Sequence, residues 1–249
     1  MKLLTRTIFL CISVFLLGCE KTIDVPLKTI PPKLVIDASI NWAKNTTGNR
    51  QVIKISTTTG YYDTDFPAVS NAAVAVKNSS NTVFTFIEST TKGEYVCANF
   101  LPVIGETYTL SVSLNGAVYT AVETLMATPT IDDAINQSNT GGMTGDEMEI
   151  QFSFQDDITK DDFYLMGINT KNVAFTEYSL ESDEMFQGKK MSQYYAHKDL
   201  KKGDLVDIRL YGVSKTFFDY FGKILVASGA DTGPFPTTPA KVRGNIVNQ

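Results

Sequence analysis

Seven short runs rich in β-branched and aromatic residues, punctuated by Gly, Asn, Ser and Pro, constrain this chain more than any other feature. They are 33–40 (KLVIDASI), 51–57 (QVIKIST), 72–77 (AAVAVK), 82–87 (TVFTFI), 94–98 (EYVCA), 107–114 (TYTLSVSL) and 117–125 (AVYTAVETL). Apolar and polar residues alternating over four to eight positions mark half-buried strands. Seven such strands in about 95 residues predict an immunoglobulin-like or fibronectin-III-like β-sandwich over 33–127. Leu101-Pro102-Val103-Ile104-Gly105-Glu106-Thr107-Tyr108 resembles a tyrosine corner, in which the Tyr108 hydroxyl returns to backbone a few residues upstream. Asn115-Gly116 between two runs predicts a two-residue type I′ hairpin.

The pattern changes around Ala127-Thr128-Pro129-Thr130, where a second β-rich domain over 128–249 is expected to begin. A Gly-, Ser- and Asn-rich stretch, 136–145, precedes an alternating strand at 148–154 and an apolar, buried-type strand at 163–169. Residues 170–202 are charged and irregular and read as long loops with one or two strands, and 204–211 is a further strand. One short helix is expected at 214–227, with Ser214 as N-cap and Phe217, Tyr220 or Phe221, Ile224 and Leu225 recurring at helical spacing. A turn-rich stretch, 229–239, and a short edge strand, 242–247, end the chain. The fold class is therefore mainly β.

Residues 1–18 read as a lipoprotein signal peptide. Lys2 and Arg6 form the basic segment, 8–17 the apolar one, and Leu17-Gly18-Cys19 the processing box. The apolar run is about half the roughly 20 residues a membrane-spanning helix needs. Cleavage before Cys19 and acylation of Cys19 would leave 19–32, which carries three prolines, as an extended tether to a membrane. Removing the two basic residues of the leader takes the formal charge from −5 to −7, which argues against a nucleic-acid partner. Cys97, in a strand-like run, reads as a buried core thiol.

Downstream of the leader, chemistry-bearing motifs are sparse. His197 is the single histidine, and no Gly-x-Ser-x-Gly elbow nominates a nucleophile. No catalytic residue and no cofactor is expected. Asp156, Asp157, Asp161 and Asp162, within FQDDITKDDFY, are candidate ligands for a hard cation such as calcium, although a solvated acidic loop fits the same residues. Trp42, after the first strand, and Tyr61, Tyr62 and Phe66, after the second, are candidate ligand-binding aromatics. Trp42 and Phe66 equally suit a role as covers over the open end of the core.

Several segments, taken in order, resemble one family. They are Cys19-Glu20-Lys21-Thr22-Ile23-Asp24, Leu34-Val35-Ile36-Asp37-Ala38, Ala72-Ala73-Val74-Ala75-Val76 ahead of Gly93-Glu94-Tyr95, Phe217-Phe218-Asp219-Tyr220, and Val242-Arg243-Gly244-Asn245-Ile246. Together they make the chain similar to Bacteroidota outer-membrane lipoproteins grouped as domain of unknown function 4249. That resemblance implies a lipid-anchored protein of the outer membrane, found beside a nutrient-uptake receptor of the TonB-dependent type, and the sparse chemistry adds the expectation of a non-enzymatic accessory or binding role. Whether it faces the periplasm or the cell surface is left open. The alternatives are a structural adhesin or assembly subunit of the cell surface, whose strand edges pair with other chains, and, behind it, a surface hydrolase.

Overall fold

The computed structural model of this chain describes residues 30–229 and 242–249. The leader, Cys19 and the turn-rich 229–239 stretch beyond Gly229 lie outside the described residues, as does most of the tether.

In the N-terminal region each alternating run becomes a strand. The strands are Leu34–Ala38 (β1), Gln51–Thr57 (β2), Ala73–Asn78 (β3), Val83–Glu88 (β4), Glu94–Cys97 (β5), Thr107–Leu114 (β6) and Ala117–Thr124 (β7). Their inward positions are Ile53 and Ile55, Val74 and Val76, Phe84 and Phe86, Tyr95 and Cys97, and Tyr108, Leu110 and Val112. These side chains, with Phe100, make one core. All the pairings are antiparallel, in the order β1-β2-β5-β4-β3-β6-β7. β4 joins the two halves of this sheet. Its Val83 and Phe86 lie opposite Lys77 and Val74 of β3, while Ile87 and Glu88 lie opposite Val96 and Tyr95 of β5. The sheet consequently curls around its own apolar face.

Two local expectations are met atom for atom. Asn115 and Gly116 both take positive φ, 50° and 82°, the geometry that lets a two-residue turn follow strand twist, and Leu114 pairs with Ala117 across it. The Tyr108 hydroxyl accepts from Val103 N at 2.9 Å and donates to Leu101 O at 3.3 Å, while its ring packs against Phe100. Burial also pushes the Tyr108 phenol above its ordinary range. Cys97 is buried in the same core, its Sγ 3.2 Å from Asn99 Oδ1.

The C-terminal region is built from a pair of three-stranded antiparallel sheets that share a core. One, in the order β12-β9-β8, contains Asn136–Gly141 (β8), Glu147–Gln155 (β9) and Lys190–His197 (β12). The other, in the order β11-β10-β13, contains Phe163–Thr170 (β10), Glu177–Ser182 (β11) and Val206–Val213 (β13). Phe152, Met166, Ile168, Tyr195 and Leu200 form the larger shared cluster, and Phe154, Tyr164 and Met191 a smaller one. β10 is buried on both faces because the helix Lys215–Ser228 (α1) covers its outer side, with Phe218 5.1 Å from Phe163 and Phe221 5.4 Å from Tyr178. Ser214 caps α1 by accepting from Phe217 N, and Gly229 ends it in the left-handed conformation.

The 136–145 stretch, to which the sequence assigns no element, supplies the polar edge strand β8, which pairs with β9 through an irregular register between Ser138 and Gly141. An edge strand needs only a backbone ladder, so it carries no hydrophobic pattern to read. As expected, the 170–202 stretch holds strands as well as loops, two of them, β11 and β12, and in β12 only Met191 and Tyr195 are buried. The tail strand is shorter than expected, Val247–Asn248 (β14), and it pairs with β7 of the N-terminal sheet rather than within the C-terminal region.

The connection between the two regions crosses β13 at Gly212. The Gly212 amide donates to Thr128 Oγ1 at 2.7 Å, and a Cβ at Gly212 would fall inside the van der Waals shell of the Ala127 carbonyl. Gly212→Ala is therefore expected to destabilise the fold by about 1–3 kcal/mol, the usual cost of forced overpacking. Urea unfolding of the variant beside the parent would measure it.

Candidate functional site

The two aromatic loops lie at opposite ends of the β1–β2 pair. In the antiparallel register Ala38 faces Ile53 and Leu34 faces Thr57. Trp42 follows the outgoing end of β1, whereas Tyr61, Tyr62 and Phe66 follow the outgoing end of β2. A seven-residue strand separates the two ends by about 20 Å, so these four aromatics do not build one binding surface.

Each loop is held at its base by one buried polar side chain. Gln51 Nε2 donates to Asn41 O and Gly48 O, and its Oε1 accepts from Asn41 N. That clamp shapes the turn in which Trp42 Nε1 donates to Thr46 O and the indole and Pro102 both lie against Gly48. Trp42, 38 % exposed, is half covered, in line with the covering role. At the other end the Tyr95 hydroxyl donates to Val69 O and accepts from Ala72 N, both at 3.0 Å. Residues 67–69 run back along β2, with Thr57 N donating to Pro67 O and Val69 N to Ile55 O. The tip beyond them turns on Asp63, whose carboxylate accepts from Gly60 N and Thr59 Oγ1. On it Tyr61, Tyr62 and Phe66 are 84 %, 76 % and 66 % exposed. Phe66 therefore does not cover the core. Aromatic rings standing this free serve contacts outside the chain better than packing within it.

The acidic loop divides in two. Asp157 and Asp161 face solvent: Asp157 closes a local turn by accepting from Thr159 N and Oγ1, and Asp161 meets Gln187. Asp156 and Asp162 turn inward and are joined by Asp183, a residue absent from the sequence expectation. Topology explains the meeting. β9 pairs with β12 so that Gln155 faces Lys190, and β10 pairs with β11 so that Phe163 faces Ser182. The 156–162 and 183–189 connections therefore both cross between the two sheets at the same end. They are stitched there by Asp156 N to Lys189 O and Asp183 N to Asp162 O, each 3.2 Å.

Within this cluster one oxygen of each of the three carboxylates lies within 4.8 Å of the other two. Asp156 accepts from Tyr164 OH at 2.6 Å and from Gly188 N at 2.8 Å. Asp162 Oδ1 accepts from Lys160 Nζ at 2.7 Å, and Asp183 Oδ2 accepts from Asp162 N at 2.9 Å. Asp183 Oδ1 is buried with no hydrogen-bond partner among the described residues. Burial raises the Asp183 carboxyl above the usual range, and the charges of Asp156, Asp162 and Asp161 raise it further, against the bond from Asp162 N. Burial, the bond to Asp156 and the charges of all three carboxylates raise the Tyr164 phenol. The only sequence signal for Asp183 is its place in the charged run ESDE; the 21 residues separating it from Asp162 hide the meeting.

His197 is the last residue of β12, its Nδ1 accepting from Asp199 N at 3.1 Å. A shallow cleft of about 270 Å³ lies nearby, bordered by Ile135, Met148, Ile150, Leu200 and Val206. Its acidic member, Asp204, is held by Lys171, which keeps the Asp204 carboxyl below the ordinary range. No helix among the described residues is long and apolar enough to cross a membrane.

Residues 20–249 match a protein family described as a domain of unknown function (DUF4249). No curated protein matches the chain.

Tyr95→Phe removes the donor to Val69 O and the acceptor for Ala72 N at a buried site. A loss of about 1–3 kcal/mol is expected, read by urea unfolding. Because the clamp holds the base of the aromatic loop, chymotryptic cleavage at Tyr61, Tyr62 or Phe66 should accelerate in the native protein.

Proposed function

This chain belongs to the family of domain of unknown function DUF4249, and from that premise we propose that it is a lipid-anchored, non-enzymatic accessory protein of the outer membrane. Its partner is a membrane-embedded receptor of the nutrient-uptake, TonB-dependent type, contacted through the loop bearing Tyr61, Tyr62 and Phe66. Support for the anchor comes from the processing box Leu17-Gly18-Cys19 behind a basic and apolar leader.

The observation that carries the partner reading is a reciprocal pair of hydrogen bonds at the start of β1. Lys33 N donates to Thr58 Oγ1 at 2.9 Å, and Thr58 N donates to Lys33 O at 2.8 Å. The chain arriving from Cys19 thus joins the fold beside the base of the exposed aromatic loop, which supports a reading in which this end of the protein is turned toward the membrane. Residues 20–32 reach at most about 45 Å when extended, so the loop stays within reach of proteins embedded in that membrane. The net charge of −7 after processing, with Asp63 and Asp65 in the loop itself, favours a protein surface over anionic lipid. Tyr and Phe supply large contact area with few rotatable bonds, which suits them to such a contact.

Two measurements test this. Cys19→Ala should abolish incorporation of radiolabelled palmitate and release the protein from the membrane fraction; retention of label and membrane association would remove the anchor. Replacing Tyr61, Tyr62 and Phe66 together by Ser should abolish co-purification of an integral outer-membrane β-barrel from detergent-solubilised membranes. Leu205→Ser, an exposed apolar change in the C-terminal region, should leave it intact. Equal recovery with the triple variant would overturn the assigned surface.

A further inference from the structure

We propose that Asp156, Asp162 and Asp183 form a calcium site that pins the two crossover connections of the C-terminal region to each other. Three observations carry this beyond a cluster of acids. Each of the three residues is buried, Asp183 completely so, and ionised carboxylates do not stay buried together without a counter-charge. Among the described residues one positive group meets the trio, Lys160 on Asp162, which leaves two negative charges in excess, the complement of a divalent cation. Finally, Asp183 Oδ1 is a buried oxygen with no donor among the described residues, on a carboxylate with one oxygen within 4.8 Å of an oxygen of each of the other two.

The donor set selects the metal. Three carboxylates with no thiol or imidazole suit a hard cation bound through oxygen. Oxygens about 2.4 Å from a central calcium lie at most about 4.8 Å apart, a limit within which the three ligand atoms fall. Magnesium, at about 2.0–2.1 Å with strict octahedral geometry, gives up its water reluctantly, which favours calcium at a cluster of protein carboxylates. Each Asp156 oxygen accepts one hydrogen bond and keeps a second lone pair. Tyr164 OH and Gly188 N thus orient that carboxylate without using up its capacity to coordinate. Water would complete the six to eight oxygens calcium takes.

The site is structural in its consequence. Asp156 and Asp162 are the first and last residues of one crossover, and Asp183 is the first of the other, so an ion held by all three fixes both connections between the β12-β9-β8 and β11-β10-β13 sheets. This inference does not depend on the receptor reading: it concerns the other region of the chain and fails or survives separately.

The test uses the full mature chain stripped of metal with a chelator. Calorimetric titration with Ca²⁺ should show one equivalent bound, and saturating Ca²⁺ should raise Tm by several degrees, with Mg²⁺ binding at least tenfold more weakly. Tb³⁺, a calcium stand-in, should show tyrosine-sensitised emission that Ca²⁺ displaces and that Tyr164→Phe, which removes the sensitising phenol beside Asp156, reduces severalfold. Asp183→Asn should weaken Ca²⁺ at least tenfold, with Asp162→Asn as the second variant should the first not fold. No binding heat and no Tm shift in the wild-type protein would overturn the proposal. So would unchanged calcium affinity in Asp183→Asn, the result expected if Asp183 is simply a carboxyl held neutral by burial.

Discussion

Everything in the N-terminal region hangs on β4 changing partners. Its first residues pair with β3 and its last two with β5, so one strand carries the backbone ladder around a corner that a flat sheet would not turn. The side chains make that bend favourable. Phe84 and Phe86 point into the concave side, where Phe100, wholly buried, lies 4.4 Å from Phe84 and 5.3 Å from Tyr108. Burying an aromatic of this size contributes about 1.5–3 kcal/mol. Several of them around one point outweigh any single backbone hydrogen bond lost at the corner, itself worth about 1 kcal/mol net.

The C-terminal region reaches closure differently, by stacking two small sheets and capping one of them with α1. Its demanding feature is electrical. Three carboxylates are drawn inside at the point where both crossovers leave one sheet for the other, with Lys160 as their cationic neighbour among the described residues. Low surrounding polarizability magnifies their mutual repulsion. A bound cation, as proposed above, would relieve that repulsion, and Asp183 Oδ1, buried with no donor among the described residues, is free to meet it. The two regions meet through modest links: Lys44 to Thr130, Gly212 to Thr128, and the return of β14 to β7.

Legibility varies with the range of the physics involved. The seven strands, the Asn115-Gly116 turn, the Tyr108 corner and the Ser214 cap depend on residues close in sequence, and all are visible there. β8 is not, because NQSNTG at a sheet edge buries almost nothing and so leaves no alternation. β12 is obscured because two buried residues in eight make a weak pattern. For the candidate sites, Asp156 and Asp162 are legible as residues but not as inward-facing ones; their neighbours Asp157 and Asp161 carry the same chemistry and differ only in which way the loop turns them. The four aromatics stand out by residue type alone. Trp42 and the Tyr61 loop nevertheless flank a single strand, and so had to lie at opposite ends of it.

The sequence by itself determined that this protein is mainly β with a short helix after Ser214, where most of its turns fall, and that Leu17-Gly18-Cys19 stands behind a basic and apolar run. These follow from alternation, backbone preference and local composition, which act over a few residues. Only the tertiary structure decided which strands are neighbours, that the tail returns to β7, that the aromatic loop stands beside the arriving chain, and that Asp183 joins Asp156 and Asp162. Those outcomes rest on contacts between residues roughly 20 to 130 positions apart, and such contacts are set by which faces must be buried together, a property of the whole chain that no short segment contains.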